Sequence, residues 1–336
     1  MNVKRMMTAA FFCSTLLHAI PLTAQQRMDF VKLTPVPQQK KVIVTINGAP
    51  FTEYLYPGTM EKPVLYPLRT ASGNIITRGF PLMPRADEPV DHPHHVGLWL
   101  DYEDVNGLDF WNNSYAIPAD RKSKYGWIKT DKILTVRSGK TGELKVSANW
   151  ENQAGNILLK EVTTYFFSGT RDTRTIDRFT TLTAQKEPVE FKDAKDGLLG
   201  LRVARELQIP SGKPEKYTDI HGNTTTVAAG NINGENGNYL TSEGKEGDAA
   251  WATRGVWCML YGIKDKEMVS VGIIDHPGNP GYPTYWHARG YGLFAANPLG
   301  QKIFSDGKDS LNLTLQPGQS VTFRYRVYIK SGKKAT

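Results

Sequence analysis

The chain has 336 residues, and its 40% hydrophobic content is enough to bury a sizeable interior in one large domain or two small ones. The formal net charge is +8, but the lysines and arginines are scattered, and the short run Lys333-Lys334 is at the carboxyl end. A nucleic-acid groove is therefore not expected, whereas electrostatic attraction of an anionic substrate stays open.

The amino terminus has the pattern of a secretory signal peptide, residues 1–24. Lys4 and Arg5 precede an apolar run over residues 9–20, and cleavage is expected after Ala24. The run is shorter than the roughly 20 residues that a membrane span needs, so we expect a periplasmic or secreted protein without stable membrane insertion. Cleavage would leave Cys258 as the single cysteine, so an internal disulfide could not form and stability must come from a packed core.

The rest of the chain predicts β-structure nearly throughout, because apolar and polar residues alternate with a period of two. We expect residues 25–40 to be an exposed lead-in and residues 41–332 to form a single domain. Predicted strands cover residues 41–46, 64–68, 96–101, 143–150, 157–167, 173–183, 198–209, 256–262, 268–274, 285–295, 311–315 and 321–329.

Neighbouring long strands are joined by short polar turns, which indicates an antiparallel meander. Large sheets of this kind must cover one face, so the sequence predicts an all-β protein with two stacked sheets. The Gly- and Asn-rich residues 230–247 are predicted to be a mobile surface loop.

Histidines are concentrated in two segments. Residues 91–111 contain three of the seven histidines, and residues 275–289 contain two more. Both segments contain the tripeptide Asp-His-Pro. We therefore expect the two segments to form one functional site.

Strand alternation determines which side chains of these segments can point together. In the first segment, one face should turn to the core and carry Val96, Leu98 and Leu100. The other face should carry Gly97, Trp99 and Asp101. In the second segment, Tyr285, His287 and Arg289 share one face, and His276 and Asn279 lie in the preceding loop.

Three interpretations of the first cluster compete. His92, His94 and His95 could bind a divalent metal, since imidazole is a common ligand of zinc, copper, iron and nickel. A histidine could instead move a proton while Asp91 or Asp101 orients it. The third interpretation is structural, with the histidines bonding to backbone at the start of a strand.

The aromatic residues near the polar clusters favour a carbohydrate. Flat apolar rings can stack on the C–H faces of a sugar while polar side chains bind its hydroxyls. The aromatic candidates are Trp99, Trp111, Tyr285 and Trp286. Core packing is the competing interpretation for each of them.

Other kinds of site have little support. The chain has no Gly-rich phosphate loop, no Ser nucleophile elbow and no Cys-centred signature. Cys258 is expected to be a buried apolar residue. Arg202 and Glu206 could be a pair in a cleft or a cross-strand ion pair on the surface.

Two motifs resemble the bacterial PmoA-like family of undefined function. They are DHPHHxGLW with DVNGxDFW over residues 91–111, and DHPxNPxxPxxWxxRxYGxxxANPxG over residues 275–300. A link to methane oxygenase itself is not expected, because that subunit is an integral membrane protein.

Such proteins are similar to the galactose-mutarotase-like group, and this resemblance implies an antiparallel β-supersandwich that binds or transforms sugars on a concave sheet. In mutarotase-type enzymes a histidine protonates the ring oxygen and a carboxylate removes the anomeric proton. The resemblance offers His94, His95 or His276 for the first role. Asp91, Asp101 and Glu206 remain alternatives for the second.

We therefore predict a carbohydrate-active enzyme working by histidine and carboxylate proton transfer, with hydrolysis, elimination and epimerisation open. Predicted catalytic residues are His94, His95, His276 and Asp91. Predicted substrate-binding residues are His92, Trp99, Asp101, Arg202, Asn279, Tyr285, His287 and Arg289. No cofactor is expected, and the alternatives are a noncatalytic carbohydrate-binding protein or a divalent-metal enzyme using His92, His94 and His95.

Overall fold

A computed structural model describes residues 30–218, 223–227 and 234–332. Within these residues the fold is antiparallel β-structure, with one short α-helix, α1 (Gln301–Phe304), and a few 3-10 turns. The all-β antiparallel prediction is confirmed. The predicted signal peptide lies outside the described residues, as does part of the predicted loop at 230–247.

The strands in chain order are β1 Val31–Val36, β2 Lys41–Ile46, β3 Ala49–Leu55, β4 Val64–Leu65, β5 Leu98–Tyr102, β6 Gly126–Arg137, β7 Gly142–Asn152, β8 Ile157–Gly169, β9 Thr173–Ala184, β10 Val189–Phe191, β11 Gly197–Arg202, β12 Glu215–Thr218, β13 Thr224–Val227, β14 Asn238–Thr241, β15 Trp257–Lys264, β16 Glu267–Asp275, β17 Tyr285–Arg289, β18 Leu293–Asn297, β19 Leu313–Leu315 and β20 Ser320–Ser331. Sixteen of them form two large sheets of eight strands each. The first sheet has the order β1-β2-β3-β4-β5-β11-β18-β17, and the second sheet has the order β14-β15-β16-β20-β9-β8-β7-β6.

The two sheets pack face to face around a shared apolar interior, as period-two alternation in their strands predicts. Phe51 in β3 meets Phe167 in β8 edge to face, with ring centroids 6.3 Å apart. Tyr239 in β14 similarly meets Phe294 in β18 at 5.4 Å. Cys258 is buried in this interior, as predicted.

The first sheet is also covered on its outer face. A second apolar cluster lies there, made of Val64, Tyr66, Val96, Trp99, Trp111, Leu293 and Ala295. Because both faces are covered, every residue of β5, β11 and β18 is buried. The candidate site is built on this outer face.

Three differences from the predicted strands have local causes. Residues 31–36, predicted to belong to an exposed lead-in, pair with β2 as strand β1, and Val31 is fully buried. The predicted strand 285–295 is a hairpin, because Gly292 has a positive φ of 87° and turns the chain. The predicted strand 198–209 ends at Arg202 and is followed by a 3-10 turn.

Gly97, just before β5, interrupts the alternation of side chains between the two faces of the sheet. Its φ is +60°, and a Cβ there would collide with the carbonyl oxygen of Leu65. The predicted alternation therefore holds for Leu98 and Leu100, which face the interior, but breaks at Val96, which joins Trp99 in the outer cluster. This break lets the loop before β5 fold over the outer face.

Candidate functional site

A row of four residues crosses the outer face of the first sheet. The strand registers place Trp99, Gly200, Ala295 and His287 side by side on β5, β11, β18 and β17. A Cβ at Gly200 would lie 2.5 Å from Cζ2 of Trp99 and 2.9 Å from Cη2 of Trp111. The absence of a side chain at Gly200 thus allows both indoles to lie directly on the sheet.

Asp91 is fixed by two buried arginines. Its Oδ1 accepts hydrogen bonds of 2.7 Å from Arg78 and from Arg202, and both guanidinium side chains are 0% exposed. Arg78 also donates to the backbone carbonyls of His92 and His95, so it holds the loop in shape. Burial acts to raise the pKa of Asp91, but the hydrogen bond from His92 and the charges of Arg202 and Arg78 hold it well below its ordinary value. Asp91 is therefore a permanent carboxylate at neutral pH.

His92 adopts a left-handed backbone conformation, with φ of +44°, and this conformation is energetically unfavourable for residues other than glycine. Its Nδ1 contacts Oδ2 of Asp91, and its side chain is 40% exposed. Within the described residues, no hydrogen bond involves Nε2 of His92. The strained backbone thus presents an imidazole that is held at one nitrogen and open at the other.

Four nearly parallel rings pack against one another above the sheet, and we call them the ring cluster. Tyr291 stacks on His92 at 5.0 Å and 3°, and His92 stacks on His95 at 4.8 Å and 1°. His95 in turn stacks on Trp99 at 5.4 Å and 20°. Tyr291 and His95 are themselves 6.4 Å apart, so the three rings form a compact triangle, and both neighbours restrict the tilt of the His92 ring.

His94 and His95 are neutral at physiological pH. Burial and the neighbouring His94 lower the pKa of His95 well below its ordinary value, and Nδ1 of His95 lies 3.2 Å from Nη1 of Arg202, which can only donate. Burial and the charge of Lys62 lower the pKa of His94 to about 2. A neutral imidazole cannot act as a general acid, and a low pKa makes it a weak base, so the electrostatics of the site do not favour the proton-transfer role predicted for His94 and His95.

A buried ion pair lies beneath the two indoles. Nζ of Lys62 is 2.5 Å from Oδ2 of Asp101 and donates to the carbonyl of Trp111 at 3.0 Å. Burial raises the pKa of Asp101 to about 7, and the charge of Lys62 opposes this effect. Asp101 is 0% exposed, so its carboxylate is closed to solvent, and the substrate-binding role predicted for it is not favoured.

The predicted metal triad does not converge. Imidazole lone pairs lie in the ring plane, so the parallel rings of His92 and His95 direct their lone pairs side by side rather than to one point. Nδ1 of His92 faces Asp91, and Nδ1 of His95 faces Arg202. Among the described residues, no three His, Cys, Asp or Glu side chains are arranged to hold a metal ion.

The two segments predicted to form one site meet only in part, because β17 lies in the first sheet whereas the Asp275-His276-Pro277 tripeptide packs on the second. The carboxylate of Asp275 accepts bonds from the backbone amides of His276 and Thr284 and from Asn279. Asn279 also exchanges two hydrogen bonds with the backbone of Arg324 in β20. His276 and Asn279 therefore belong to a loop that is hydrogen-bonded to the second sheet. The Asp-His-Pro tripeptide shapes this loop in the second segment, whereas in the first segment its aspartate pairs with buried arginines.

The predicted face of β17 is only partly open. The hydroxyl of Tyr285 bonds to Asp309 at 3.1 Å, and its ring is buried. His287 is buried, and its Nδ1 lies 3.5 Å from Oδ1 of Asp196. Burial and the charge of Lys195 lower the pKa of His287 to about 3. Arg289 is the member of this face that reaches a cavity.

Arg202 and Glu206 do not form the pair considered from the sequence. Glu206 bonds to Lys264 at 2.8 Å, while Arg202 is buried with Asp91 and His95. The guanidinium of Arg202 also lies 4.9 Å from the ring centre of Tyr291. Arg202 therefore contacts two members of the ring cluster, Tyr291 and His95.

A cavity of about 480 Å³ lies beside the ring cluster, and we call it the Arg289 cavity. Its lining includes Trp251, Arg289, Tyr291, Asp248 and Glu215. Tyr291 is shared, since it lines the cavity and stacks on His92. Burial raises the pKa of Glu215, a hydrogen bond from Tyr217 lowers it, and the charges of Glu235 and Asp91 raise it further.

Sequence reasoning missed most of this cavity. Tyr291 follows Arg289 by two residues in the turn between β17 and β18. The sequence analysis predicted one continuous strand over 285–295 and so did not predict this turn. Trp251 and Asp248 come from a 3-10 turn that no periodic pattern marks. A larger cavity of about 900 Å³ lies at turns that include Asn156, Gln185 and Gly318, and its lining has no histidine or arginine.

The fold and site define an all-β protein of two stacked sheets with a histidine and carboxylate cluster on the outer face of one sheet. The chain belongs to DUF6807, a family of unknown function, which it matches over residues 41–336. No curated protein matches it. Across the described residues, no helix has the length and apolar character to cross a membrane.

Solved structures with similar folds include enzymes that act on sugars. The galactosidase domain of an α-galactosidase-sucrose kinase shares 10% identity with a TM-score of 0.39, over 89% of this chain and 41% of that one. A β-arabinopyranosidase shares 12% identity with a TM-score of 0.33, over 92% and 39%. A galactose mutarotase-like protein from Clostridium acetobutylicum shares 12% identity with a TM-score of 0.34, over 89% and 98%. The chain thus spans about two fifths of the first two proteins, and likeness at this level assigns no activity.

Proposed function

We propose that this protein is a carbohydrate-active enzyme in which His92 and Asp91 form the acid-base pair. The observation that carries the proposal is the exposed imidazole of His92, held at Nδ1 by a carboxylate that two buried arginines keep ionised. A histidine oriented by a carboxylate is a recurring arrangement for proton transfer, and imidazole suits this work near neutral pH. This assigns the proton-transfer role to His92 in place of His94, His95 and His276.

The roles of the other groups follow from their contacts. Tyr291 and Trp251 offer aromatic faces for a sugar ring, while Asp248, Glu215 and Arg289 offer polar partners in the same cavity. Nε2 of His92 accepts a proton from a sugar O–H or C–H group and later returns it, and Asp91 stabilises the imidazolium that exists between the two transfers. Glu215 is the candidate for a second acid-base group, since burial raises its pKa.

His92→Asn should lower kcat by about a hundredfold to ten-thousandfold, because it removes the titratable ring. Asn tolerates a left-handed backbone and can still donate to Asp91, so the loop should keep its shape. The assay uses a panel of oligosaccharides with product detection by NMR. His276→Asn makes the same change on the second sheet and should leave kcat unchanged.

Full activity of His92→Asn in a folded protein would contradict this assignment. Sugar binding without turnover in the unmodified protein would favour the second candidate, a noncatalytic carbohydrate-binding protein. The neutral state of His94 and His95 favours that candidate, since it suits a rigid binding surface better than a proton relay.

The resemblance to PmoA-like proteins and to the galactose-mutarotase-like group supports the carbohydrate proposal, and residues 1–24 support export. We expect a carboxyl-tagged chain expressed in a Gram-negative bacterium to be found outside the cytoplasm with its amino terminus at Gln25. Fractionation and mass spectrometry of the intact protein test this. A chain that retains residues 1–24 in the cytoplasm would contradict export.

A further inference from the structure

Arg289 lies at the end of β17 with its guanidinium between two aromatic side chains. Its Cζ is 5.4 Å from the ring centre of Trp251 and 5.9 Å from that of Tyr291. Within the described part of the chain, no carboxylate or carbonyl accepts a hydrogen bond from this side chain. The buried Arg78 and Arg202, by contrast, share the carboxylate of Asp91.

An arginine with restricted motion and no hydrogen-bond acceptor is well suited to bind an anion. The guanidinium has five N–H donors in a planar fork, and that fork matches the two oxygens of a carboxylate. The rings of Trp251 and Tyr291 restrict its motion, so less conformational freedom is lost when an anion binds. The half-buried position also reduces the screening by water that weakens exposed ion pairs.

The other charges of the Arg289 cavity limit where an anion can lie. Asp248 and Glu215 also line the cavity and would repel it, whereas Lys213 would attract it. A ligand that carries both an anionic group and hydroxyls suits all four charged side chains of the cavity. Its anion can pair with Arg289 and Lys213, and its hydroxyls can donate hydrogen bonds to the two carboxylates. A neutral sugar would offer the Arg289 fork hydroxyl oxygens as acceptors but no counter-charge.

We propose that the Arg289 cavity binds an acidic sugar whose anionic group, a uronate carboxylate or a sulfate ester, pairs with Arg289. This inference rests on the proposed function and narrows its substrate class. It places recognition of the anion at Arg289 and proton transfer at His92, joined through the shared ring of Tyr291.

Calorimetric titration tests the inference with a panel of defined ligands. The panel contains oligogalacturonides, oligomannuronides and glucuronoxylan fragments, the carboxyl-reduced counterpart of each, and sulfated galactan fragments. An acidic ligand should bind at least about tenfold more tightly than its neutral counterpart. Preference for uronates or for sulfated fragments distinguishes the two sources of the anion.

Two variants locate the effect. Arg289→Gln should weaken binding of the acidic ligand by about 30-fold and change binding of its neutral counterpart by less than about twofold. Arg289→Lys, which keeps the charge and loses the fork, should fall between. Arg171→Gln removes an equal charge from the exposed β8–β9 turn and should have no effect, and thermal melting checks that each variant folds.

Equal affinity for an acidic ligand and its reduced counterpart would overturn the inference. So would unchanged acidic-ligand binding by a folded Arg289→Gln variant, or a best ligand that is neutral. Absence of binding to every sugar, acidic or neutral, would instead contradict the proposed function, and the inference would fall with it.

Discussion

Lys62→Met should lower the free energy of unfolding by about 3 to 5 kcal/mol at pH 8, because it leaves the carboxylate of Asp101 buried without a counter-charge. Asp101 is 0% exposed, and its Oδ1 has no hydrogen-bond partner among the described residues. Lys62 is thus its main source of charge stabilisation. Urea denaturation of the variant and the unmodified protein measures the loss.

The loss should be much smaller at pH 5. Burial raises the pKa of Asp101 to about 7 with Lys62 present, and removing Lys62 raises it further. The folded state then binds more protons than the unfolded state, whose aspartate titrates near 3.9, so stability falls as pH rises from about 4 through the folded pKa. At pH 5 Asp101 is neutral when folded, and little charge is left unpaired.

A double variant provides the control. Lys62→Met/Asp101→Asn removes both charges and should recover most of the stability lost at pH 8, since replacing both members of a buried pair is often nearly neutral. An equal loss at pH 5 and pH 8 would mean that packing around Trp99 and Trp111, rather than the charge of Asp101, explains the effect of Lys62→Met.

Asp91→Asn should lower the free energy of unfolding by about 3 kcal/mol at pH 7. Arg78 and Arg202 are 0% exposed and would lose the one carboxylate that they share. Breaking a buried pair costs about 3 to 5 kcal/mol, and the low end applies because the Asp91 side chain is 37% exposed. Urea denaturation at pH 7 and pH 3 tests the prediction.

The pH dependence has the opposite sign to that of Asp101. The folded pKa of Asp91 is lowered, so its contribution is present above the unfolded value near 3.9 and is lost as pH falls toward the folded value. The difference between Asp91→Asn and the unmodified protein should therefore shrink at pH 3.

Asp177→Asn is the matched control. Asp177 accepts two bonds from Arg326 at 2.6 and 2.9 Å, but this pair is on the surface. Its loss should cost less than about 1 kcal/mol. Similar losses for the two substitutions would show that burial of Arg78 and Arg202 does not determine the effect.

Strand alternation predicted the strands that have one buried and one solvent-facing side. The predictions at 157–167 and 173–183 match β8 and β9 to within two residues at each end, because burial alternates along both. Alternation fails where both sides are buried, and so the hairpin of β17 and β18 was predicted as one strand. It also missed β3, β6 and β14, and β1 was hidden by the Pro- and Gln-rich composition around it.

The candidate site was predictable only where its residues are close in sequence or carry a scarce side chain. Asp91, His92, Trp99 and Arg202 were found in this way, and the structure brings them together. Lys62 and Arg78 were not found, since they come from separate loops and are brought to the site by the strand order of the first sheet. The repeated Asp-His-Pro suggested one site, but the two copies end on different sheets because β16 belongs to the second.

The buried strands β5, β11 and β18 have a consequence for how this protein can change over evolutionary time. Trp99 and Arg202 face the site, while their sequence neighbours Leu98, Leu100 and Leu201 face the shared interior. One sheet therefore forms a wall of both the site and the core. Substitutions that reshape the site also lower the free energy of unfolding, which is small in most proteins. The Arg289 cavity lies at an edge strand and in turns, where that coupling is weakest, and new ligand preferences can arise there at the least risk to folding.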